Sequence, residues 1–253
     1  MFKQLIRFLN KVVLFSGVLV LLTAPALAAT TVYLHDTVSP LGTTSKAGAG
    51  INCANGSHNY TFRVANTTVG TVTTPTNYSF IPGNNTDPCL LQTSTANGDF
   101  TRFATPPLQS GVTISGAFTL QIGCGQSHNN LNSGRSVNIY RWTPQKGITQ
   151  AVHSWTPVTN DTNSTPECTG ATPTHQTVNI TPTSSVTFNA GDRIIIDLLL
   201  TNSAGQTMGV ASRTALTCWG GTVASNCRTY VLFNETFTFA AEVKLQSPQV
   251  RAD

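Results

Sequence analysis

Hydrophobic and polar residues alternate along most of the chain after residue 30. Runs with this two-residue period cover residues 32–34, 60–64, 78–80, 118–124, 137–142, 208–218 and 231–239. Clusters of Gly, Pro, Asn and Ser separate the runs, which is the pattern of short strands joined by turns. No segment after the N-terminal region shows a 3.6-residue period. The pattern therefore predicts an all-β fold, an antiparallel β-sandwich.

The longest apolar run, FNAGDRIIIDLLLTN at residues 188–202, contains an Arg and an Asp. Asn189, Gly191 and Asp192 are typical of a tight turn, so the strand is expected to begin at Arg193. Alternation then places Ile194, Ile196, Leu198 and Leu200 on one face and Arg193, Ile195, Asp197 and Leu199 on the other. Arg193 and Asp197 would be about 13 Å apart along the strand, too far to pair directly. We expect each to find a partner on a neighbouring strand, on a face that is partly covered.

Three stretches together resemble the jelly-roll modules of secreted bacterial proteins. They are SGVTISGAFTLQI, NIYRWTPQKGIT and the F-x-A-G-D-R turn followed by an aliphatic strand, within residues 100–240. Such modules occur in adhesins, matrix proteins and appendages of carbohydrate-active enzymes. The resemblance implies a jelly-roll-like sandwich and carries over no catalytic residue.

The first 28 residues have the features of a signal peptide. Lys3, Arg7 and Lys11 precede an apolar segment that is too short to span a membrane, and Ala26-Leu27-Ala28 supplies small residues for cleavage. A retained anchor helix is the alternative. Cleavage predicts a secreted protein, extracellular or at the cell surface, with the periplasm as another destination and no stable membrane insertion afterwards.

Composition supports an exported β protein. Charged residues are only 9% of the chain, and Thr, Asn, Ser and Gly supply most of the polarity. The formal charge of +4 is largely lost with the three basic residues of the signal peptide. The remaining Lys and Arg are scattered, so no nucleic-acid partner is expected.

The six cysteines all follow the signal peptide, which predicts a disulfide-stapled fold. Cys218 and Cys227 are the easiest pair because only a short loop separates them. Sequential pairing of the others gives Cys53 with Cys89 and Cys124 with Cys168. A zinc site is the alternative, but no C-x-x-C or H-x-x-x-H spacing supports it.

The chain divides into a signal peptide at 1–28, an N-terminal strand and flexible connector at 29–50, and a sandwich domain at 51–253. Val32 and Leu34 share one face of the N-terminal strand, predicted at residues 31–37. This strand either closes its own sheet or is donated to a neighbouring subunit, which would build a fibre.

Motifs for catalysis are absent from the sequence. It contains neither H-E-x-x-H nor G-x-S-x-G, and its acidic residues and five histidines are dispersed. Asp192 and Asp197 are interpreted as structural residues. The pattern disfavours an enzyme but does not exclude carboxylates brought together by folding.

Two groups of residues are candidates for ligand binding. Trp219 beside a Gly-Gly pair is expected to be exposed, and Trp142 and Trp155 are further stacking platforms for sugar rings, or else hairpin residues packed at the core. Oxygen-bearing side chains at Asp161, Asn163 and Glu167 suggest calcium, although Pro166 stands where an EF-hand loop needs Gly. No cofactor is otherwise expected.

These observations lead to three functional hypotheses. The first is a non-catalytic structural or adhesive protein of the cell surface or extracellular matrix, self-associating by strand exchange. The second is a carbohydrate-binding protein whose partner is a surface polysaccharide. The third is a hydrolase of unknown type.

All six cysteines should be oxidised in the exported protein, because an oxidising compartment favours disulfides. Mass spectrometry of unreduced protein should find it lighter by six hydrogens than the reduced form. Free thiols at two or more positions would contradict this prediction.

Overall fold

A computed structural model of the chain describes residues 29–44, 60–72, 77–80, 102–128, 131–154, 167–202 and 215–242. The predicted signal peptide lies outside these residues. The regular elements of the described residues are all strands, which confirms the all-β prediction. None of the described segments is an apolar helix of membrane-spanning length.

Thirteen strands make up the described part of the fold. They are β1 (Thr30–Thr44), β2 (Tyr60–Asn66), β3 (Asn77–Phe80), β4 (Arg102–Ala104), β5 (Val112–Ile114), β6 (Phe118–Gln126), β7 (Ser133–Thr143), β8 (Gly147–His153), β9 (Thr174–Ile180), β10 (Val186–Phe188), β11 (Arg193–Asn202), β12 (Ala215–Cys218) and β13 (Tyr230–Phe233).

Eleven of these strands form one sheet in the order β3-β12-β6-β13-β1-β2-β4-β11-β7-β8, with β9 paired to β6 outside this path. β12 pairs with residues 123–126 of β6 and β13 with residues 118–121. The two strands therefore follow one another along the same edge of β6. β10 and β5 form a separate two-stranded sheet. Pairing is antiparallel except between β2 and β4, which corrects a purely antiparallel expectation.

The predicted facing of β11 is confirmed, and its second face is more deeply buried than expected. Ile194, Ile196 and Leu198 belong to the main core. Ile195 on the opposite face packs in a second cluster with Phe62, Ala104 and Tyr140. Burial on both faces explains why this strand has the longest apolar run in the mature sequence.

Asp197 meets its partner on the neighbouring strand β4, as predicted, whereas the partners of Arg193 lie outside the strands. The Asp197 carboxylate accepts from Arg102 Nε at 2.5 Å and from Nη2 at 2.7 Å, and both side chains are buried, at 0% and 1% exposure. Arg193 donates to the Thr105 carbonyl at 2.8 Å and to Glu242 Oε1 at 2.6 Å. The charged face is therefore a set of compensated pairs within the fold.

Two predicted turns are also present. Gly191 has φ +87°, and Asp192 accepts from the Asn189 N–H at 2.7 Å, which is the turn chemistry expected at this place. β7 and β8 form the predicted hairpin around residues 144–146.

The N-terminal strand closes its own sheet. β1 lies between β13 and β2, and it extends to Thr44, into the segment expected to be a flexible connector. Val32 and Leu34 are buried at 0% and 1% exposure in the main core. Their apolar surface is therefore used within the chain, which corrects the hypothesis that they are donated to a neighbour.

Two of the predicted disulfides are confirmed. Cys124 pairs with Cys168, and Cys218 pairs with Cys227. Both fit the oxidising compartment of a secreted or periplasmic protein. Cys53 and Cys89 lie outside the described residues.

Replacing Asp197 by Asn should destabilise the protein by about 3–5 kcal/mol, because Arg102 then stays buried without its counter-charge. Urea unfolding followed by circular dichroism measures this change. The double variant Arg102→Met/Asp197→Leu should lose less stability than Asp197→Asn alone.

The Arg63–Asp36 pair supplies a control, because its side chains are 17% and 35% exposed. Asp36→Asn should cost no more than about 1 kcal/mol, since exposed ion pairs contribute little. Equal losses in Asp36→Asn and Asp197→Asn would contradict the stabilising role of the buried pair.

Candidate functional site

The connection between β12 and β13, residues 219–229, is closed at its base by the Cys218–Cys227 disulfide. We call it the disulfide loop. Thr229 Oγ1 donates to the Cys218 carbonyl at 2.7 Å and accepts from the Gly123 N–H at 3.1 Å. Asn226 Nδ2 donates to the Pro173 carbonyl at 3.2 Å. These bonds fix the loop against β6 and the start of β9.

Gly123 allows the disulfide loop to approach β6. A Cβ atom at this position would overlap the carbonyl oxygen of Asn226 and lie against the sulfur of Cys218. The register of β6 and β9 places His175 directly opposite Gly123. The glycine thus brings the loop backbone beside the imidazole.

His175 is held by the disulfide loop. Its ring donates to the backbone carbonyl of Ser225, and Nε2 is buried without a hydrogen-bond partner in the described residues. The donor is therefore Nδ1, which leaves Nε2 with its lone pair. Burial lowers the pKa of His175, and the nearby Arg228 cation lowers it further, against the raising effect of the Ser225 bond. The imidazole is consequently neutral at pH 7.

Arg228 follows Cys227 directly and lies close enough to His175 to act on its charge. Its Nε is also buried without a hydrogen-bond partner in the part of the chain that the structure describes. An unpaired buried polar atom costs about 1–3 kcal/mol, so each of these two atoms requires an explanation. One atom is an acceptor and the other a donor.

The His175–Arg228 pair has the elements of acid–base chemistry on a carbonyl group. A neutral imidazole nitrogen can accept a proton from water, and a guanidinium N–H can stabilise a developing oxyanion. The remaining described residues offer no comparable pair. His153 also has a backbone partner, the Thr181 carbonyl at 3.0 Å from Nδ1, but its ring packs on Phe118.

The predicted aromatic platforms differ in their surroundings. Trp219 is only 1% exposed and packs edge-to-face on Phe103 in the main core, so the prediction that it is exposed was wrong. Trp219 continues the two-residue alternation of Ala215 and Thr217, so its side chain points to the core as theirs do. Trp142 is half-buried beneath the Arg193 guanidinium, in agreement with the packed alternative. Trp155 lies outside the described residues.

The calcium candidates are not brought together in the described structure. Asp161 and Asn163 lie outside the described residues. The Glu167 carboxylate accepts from Gln126 Nε2 at 2.5 Å. Across the described ranges, no group of three or more His, Cys, Asp or Glu side chains is placed to hold a metal ion.

Sequence reasoning noted His175 but did not connect it with Arg228. Fifty-three residues separate their neighbours Pro173 and Asn226, which the fold joins by a hydrogen bond. The sequence held only an indirect indication of this site. The predicted Cys218–Cys227 disulfide implies a loop of fixed conformation, and Arg228 directly follows Cys227. The missing element was β9, whose sequence THQTVNI has few apolar residues.

Neither a family model nor a curated protein matches the sequence. Several solved structures align with most of the chain. An α-amino acid ester hydrolase is 13% identical, with a TM-score of 0.46 over 81% of this chain and 36% of that one. A CocE/NonD family hydrolase from Staphylococcus aureus is 9% identical, with a TM-score of 0.46 over 83% and 36%. An aminopeptidase from a marine sediment archaeon, Thaumarchaeota archaeon, is 10% identical, with a TM-score of 0.43 over 76% and 36%. The chain thus spans 36% of the length of each.

These neighbours correct two predictions from the sequence. The predicted relatives were secreted jelly-roll modules of adhesins and matrix proteins, whereas the solved structures found are hydrolases. The predicted resemblance was therefore wrong. The same finding overturns the hypothesis of a non-catalytic structural or adhesive protein, with its matrix, fibre and carbohydrate-binding roles.

The protein should become less stable as the pH falls below 6.5. Burial is the main cause that lowers the pKa of His35, His153 and His175 from their ordinary value of 6.5. Between their folded pKa values and 6.5 the unfolded chain binds more protons, so acid favours unfolding. Urea unfolding at pH 7.5 and at 5.5 should give a lower midpoint at 5.5. A midpoint that rises on acidification would contradict the assignment of neutral buried imidazoles.

Proposed function

We propose that the protein is a hydrolase that cleaves an ester or amide at the His175–Arg228 pair. The observation that carries the proposal is the neutral imidazole with a buried, unpartnered Nε2 beside a guanidinium whose Nε is also unpartnered. Perturbed titratable groups with unfilled hydrogen-bond positions are typical of functional sites.

The chemistry assigns one role to each side chain. His175 Nε2 accepts a proton from a water molecule as the water oxygen bonds to the substrate carbonyl carbon. The carbonyl π electrons move to its oxygen, and Arg228 stabilises the resulting negative charge. Collapse of the tetrahedral intermediate breaks the bond to the leaving group, which takes the proton back from the imidazolium. The products are a carboxylic acid and an alcohol or amine.

The disulfide loop is important for this proposal because it holds both sides of the pair. Ser225 fixes the imidazole tautomer through Nδ1, and Arg228 lies three residues further along the same loop. The Arg228 N–H donates to the Ser225 carbonyl at 3.0 Å, so the two positions are joined by the loop's own backbone. Such fixed positioning favours catalysis, because little reorganisation is needed in the transition state.

We also propose that the large sheet folds back on itself as an antiparallel sandwich. Arg135 of β7 donates to Thr217 Oγ1 at 2.6 Å and to the Leu216 carbonyl at 2.9 Å, although β7 and β12 are not neighbours in the strand order. Burial lowers the pKa of Arg135 to about 9, as expected for a side chain enclosed between two layers. A jelly-roll connection of the strands stays a prediction.

The purified, oxidised protein should hydrolyse at least one member of a panel of alkyl esters, amino acid esters and aminoacyl amides. His175→Gln should lower kcat/KM by roughly 10²–10⁴-fold, and Arg228→Gln by roughly 10²–10³-fold. The assay is titration of the released acid at constant pH.

His153→Gln is the matched control, because His153 is also bound to a backbone carbonyl through Nδ1 but is not placed beside Arg228. It should leave the rate unchanged. The proposal would be refuted if His175→Gln did not reduce the activity of the wild type. It would also be refuted if the folded protein turned over no member of the panel.

The pH dependence gives a separate test of the pair. The rate should fall on acidification below pH 6.5, because the base must be unprotonated. Arg228→Gln removes a cation that lowers the pKa of His175, so the imidazole should titrate at higher pH in this variant. Nuclear magnetic resonance of the imidazole Hε1 proton measures this shift, and a midpoint that stays in place would exclude the electrostatic contact.

A further inference from the structure

The outer face of the sheet next to the His175–Arg228 pair carries an aromatic row. β1, β13, β6 and β9 are adjacent strands, and their register aligns Tyr33 with Tyr230, Tyr230 with Gln121, and Gln121 with Thr177. The four side chains share the face opposite the core and are partly or fully exposed. Directly opposed residues on neighbouring strands lie about 5 Å apart, so they form a continuous surface.

The two tyrosines are held in fixed positions. Their ring centroids are 5.5 Å apart, with an angle of 63° between the ring planes. The Tyr230 hydroxyl donates to Gln121 Oε1. A half-exposed pair of rings with fixed orientation presents a rigid apolar surface at low entropic cost, which is suited to contact with another ring.

Arg228 connects this surface with the proposed reactive position. Its guanidinium carbon lies 5.8 Å from the centre of the Tyr230 ring, while its charge acts on His175. His175 is two residues from Thr177 along β9, as Arg228 is two residues from Tyr230. Two residues of strand correspond to about 7 Å, which is the spacing of His175 and Thr177 along β9, while Tyr230 and Tyr33 lie two and three strands further across the sheet.

We propose that Tyr33 and Tyr230 form a specificity subsite for an aromatic ring of the substrate's acyl group. This inference rests on the proposed function, since the carbonyl would lie at the His175–Arg228 pair. The 5.8 Å between the Arg228 guanidinium carbon and the centre of the Tyr230 ring favours arylalkanoyl substrates, in which a short methylene chain joins the ring to the carbonyl. Arg228 has no carboxylate partner among the described residues. Its guanidinium is therefore available to bind the carbonyl oxygen of the substrate or the carboxylate of the product.

The test compares ethyl butanoate with ethyl 3-phenylpropanoate and ethyl 4-phenylbutanoate as substrates of the oxidised full-length protein. Wild type should have a lower KM for the aryl esters. Tyr33→Thr introduces a β-branched residue, which suits a strand, and should raise KM for these esters by roughly tenfold, with kcat little changed. Tyr33→Phe should retain the preference, and ethyl butanoate should be unaffected by either change.

Leu232→Thr is the control, because Leu232 lies on the same outer face but two residues beyond Tyr230 on the side away from Arg228. It should leave the preference intact. An aryl preference that survives Tyr33→Thr, or a lack of preference in wild type, would overturn the subsite while leaving hydrolysis at His175 established.

Binding of the product separates failure of the subsite from failure of the proposed function. Titration with 3-phenylpropanoate should shift the ring resonances of Tyr33 and Tyr230 in wild type and His175→Gln, but not those of Tyr230 in Tyr33→Thr. Such shifts without hydrolysis of any ester would support the subsite and refute the activity. An unchanged spectrum would refute the subsite in either case.

Discussion

The buried ion pair between Arg102 and Asp197 is the interaction on which the arrangement of the sheet depends. β11 is apolar on one face and carries Asp197 on the other, yet both faces are covered. Water therefore cannot solvate the Asp197 carboxylate, and the bidentate contact with the Arg102 guanidinium compensates its buried negative charge. This requirement fixes β4 beside β11. It also fixes the register of β11, because a shift of one residue would place Asp197 in the main core.

The same requirement separates the arginines of the described residues into three kinds. Arg63, Arg102, Arg141 and Arg193 each pair with a carboxylate, and they maintain contacts within the fold. Arg135 has neutral oxygen partners instead and joins β7 to β12. Arg228 belongs to neither arrangement, because its Nε is unpartnered beside a neutral imidazole. This contrast is the physical reason to assign Arg228 a role in chemistry rather than in folding.

Local patterns were enough to predict much of the fold. The facing of β11, the Asp192 turn and the Cys218–Cys227 disulfide all depend on residues within one strand or loop. Contacts between distant segments were not predictable: Arg102 and Asp197 are 95 residues apart. The candidate site was missed for this reason, since His175 and Arg228 meet only after β9 pairs with β6. Trp219 was misjudged because the adjacent glycines suggested an exposed loop, whereas strand parity directs its ring inward.

The position of β1 has a consequence for how the protein forms. β1 lies between β13 and β2, and Thr30 pairs with Phe233, so the first described strand is hydrogen-bonded to the last. During synthesis or export, one edge of β1 stays open until residues 230–233 are free of the machinery that delivers them. Pairing across such a sequence distance is slow, and an open strand edge is prone to association with other chains. A chain that lacks β13 therefore leaves one edge of β1 without its hydrogen-bonding partner.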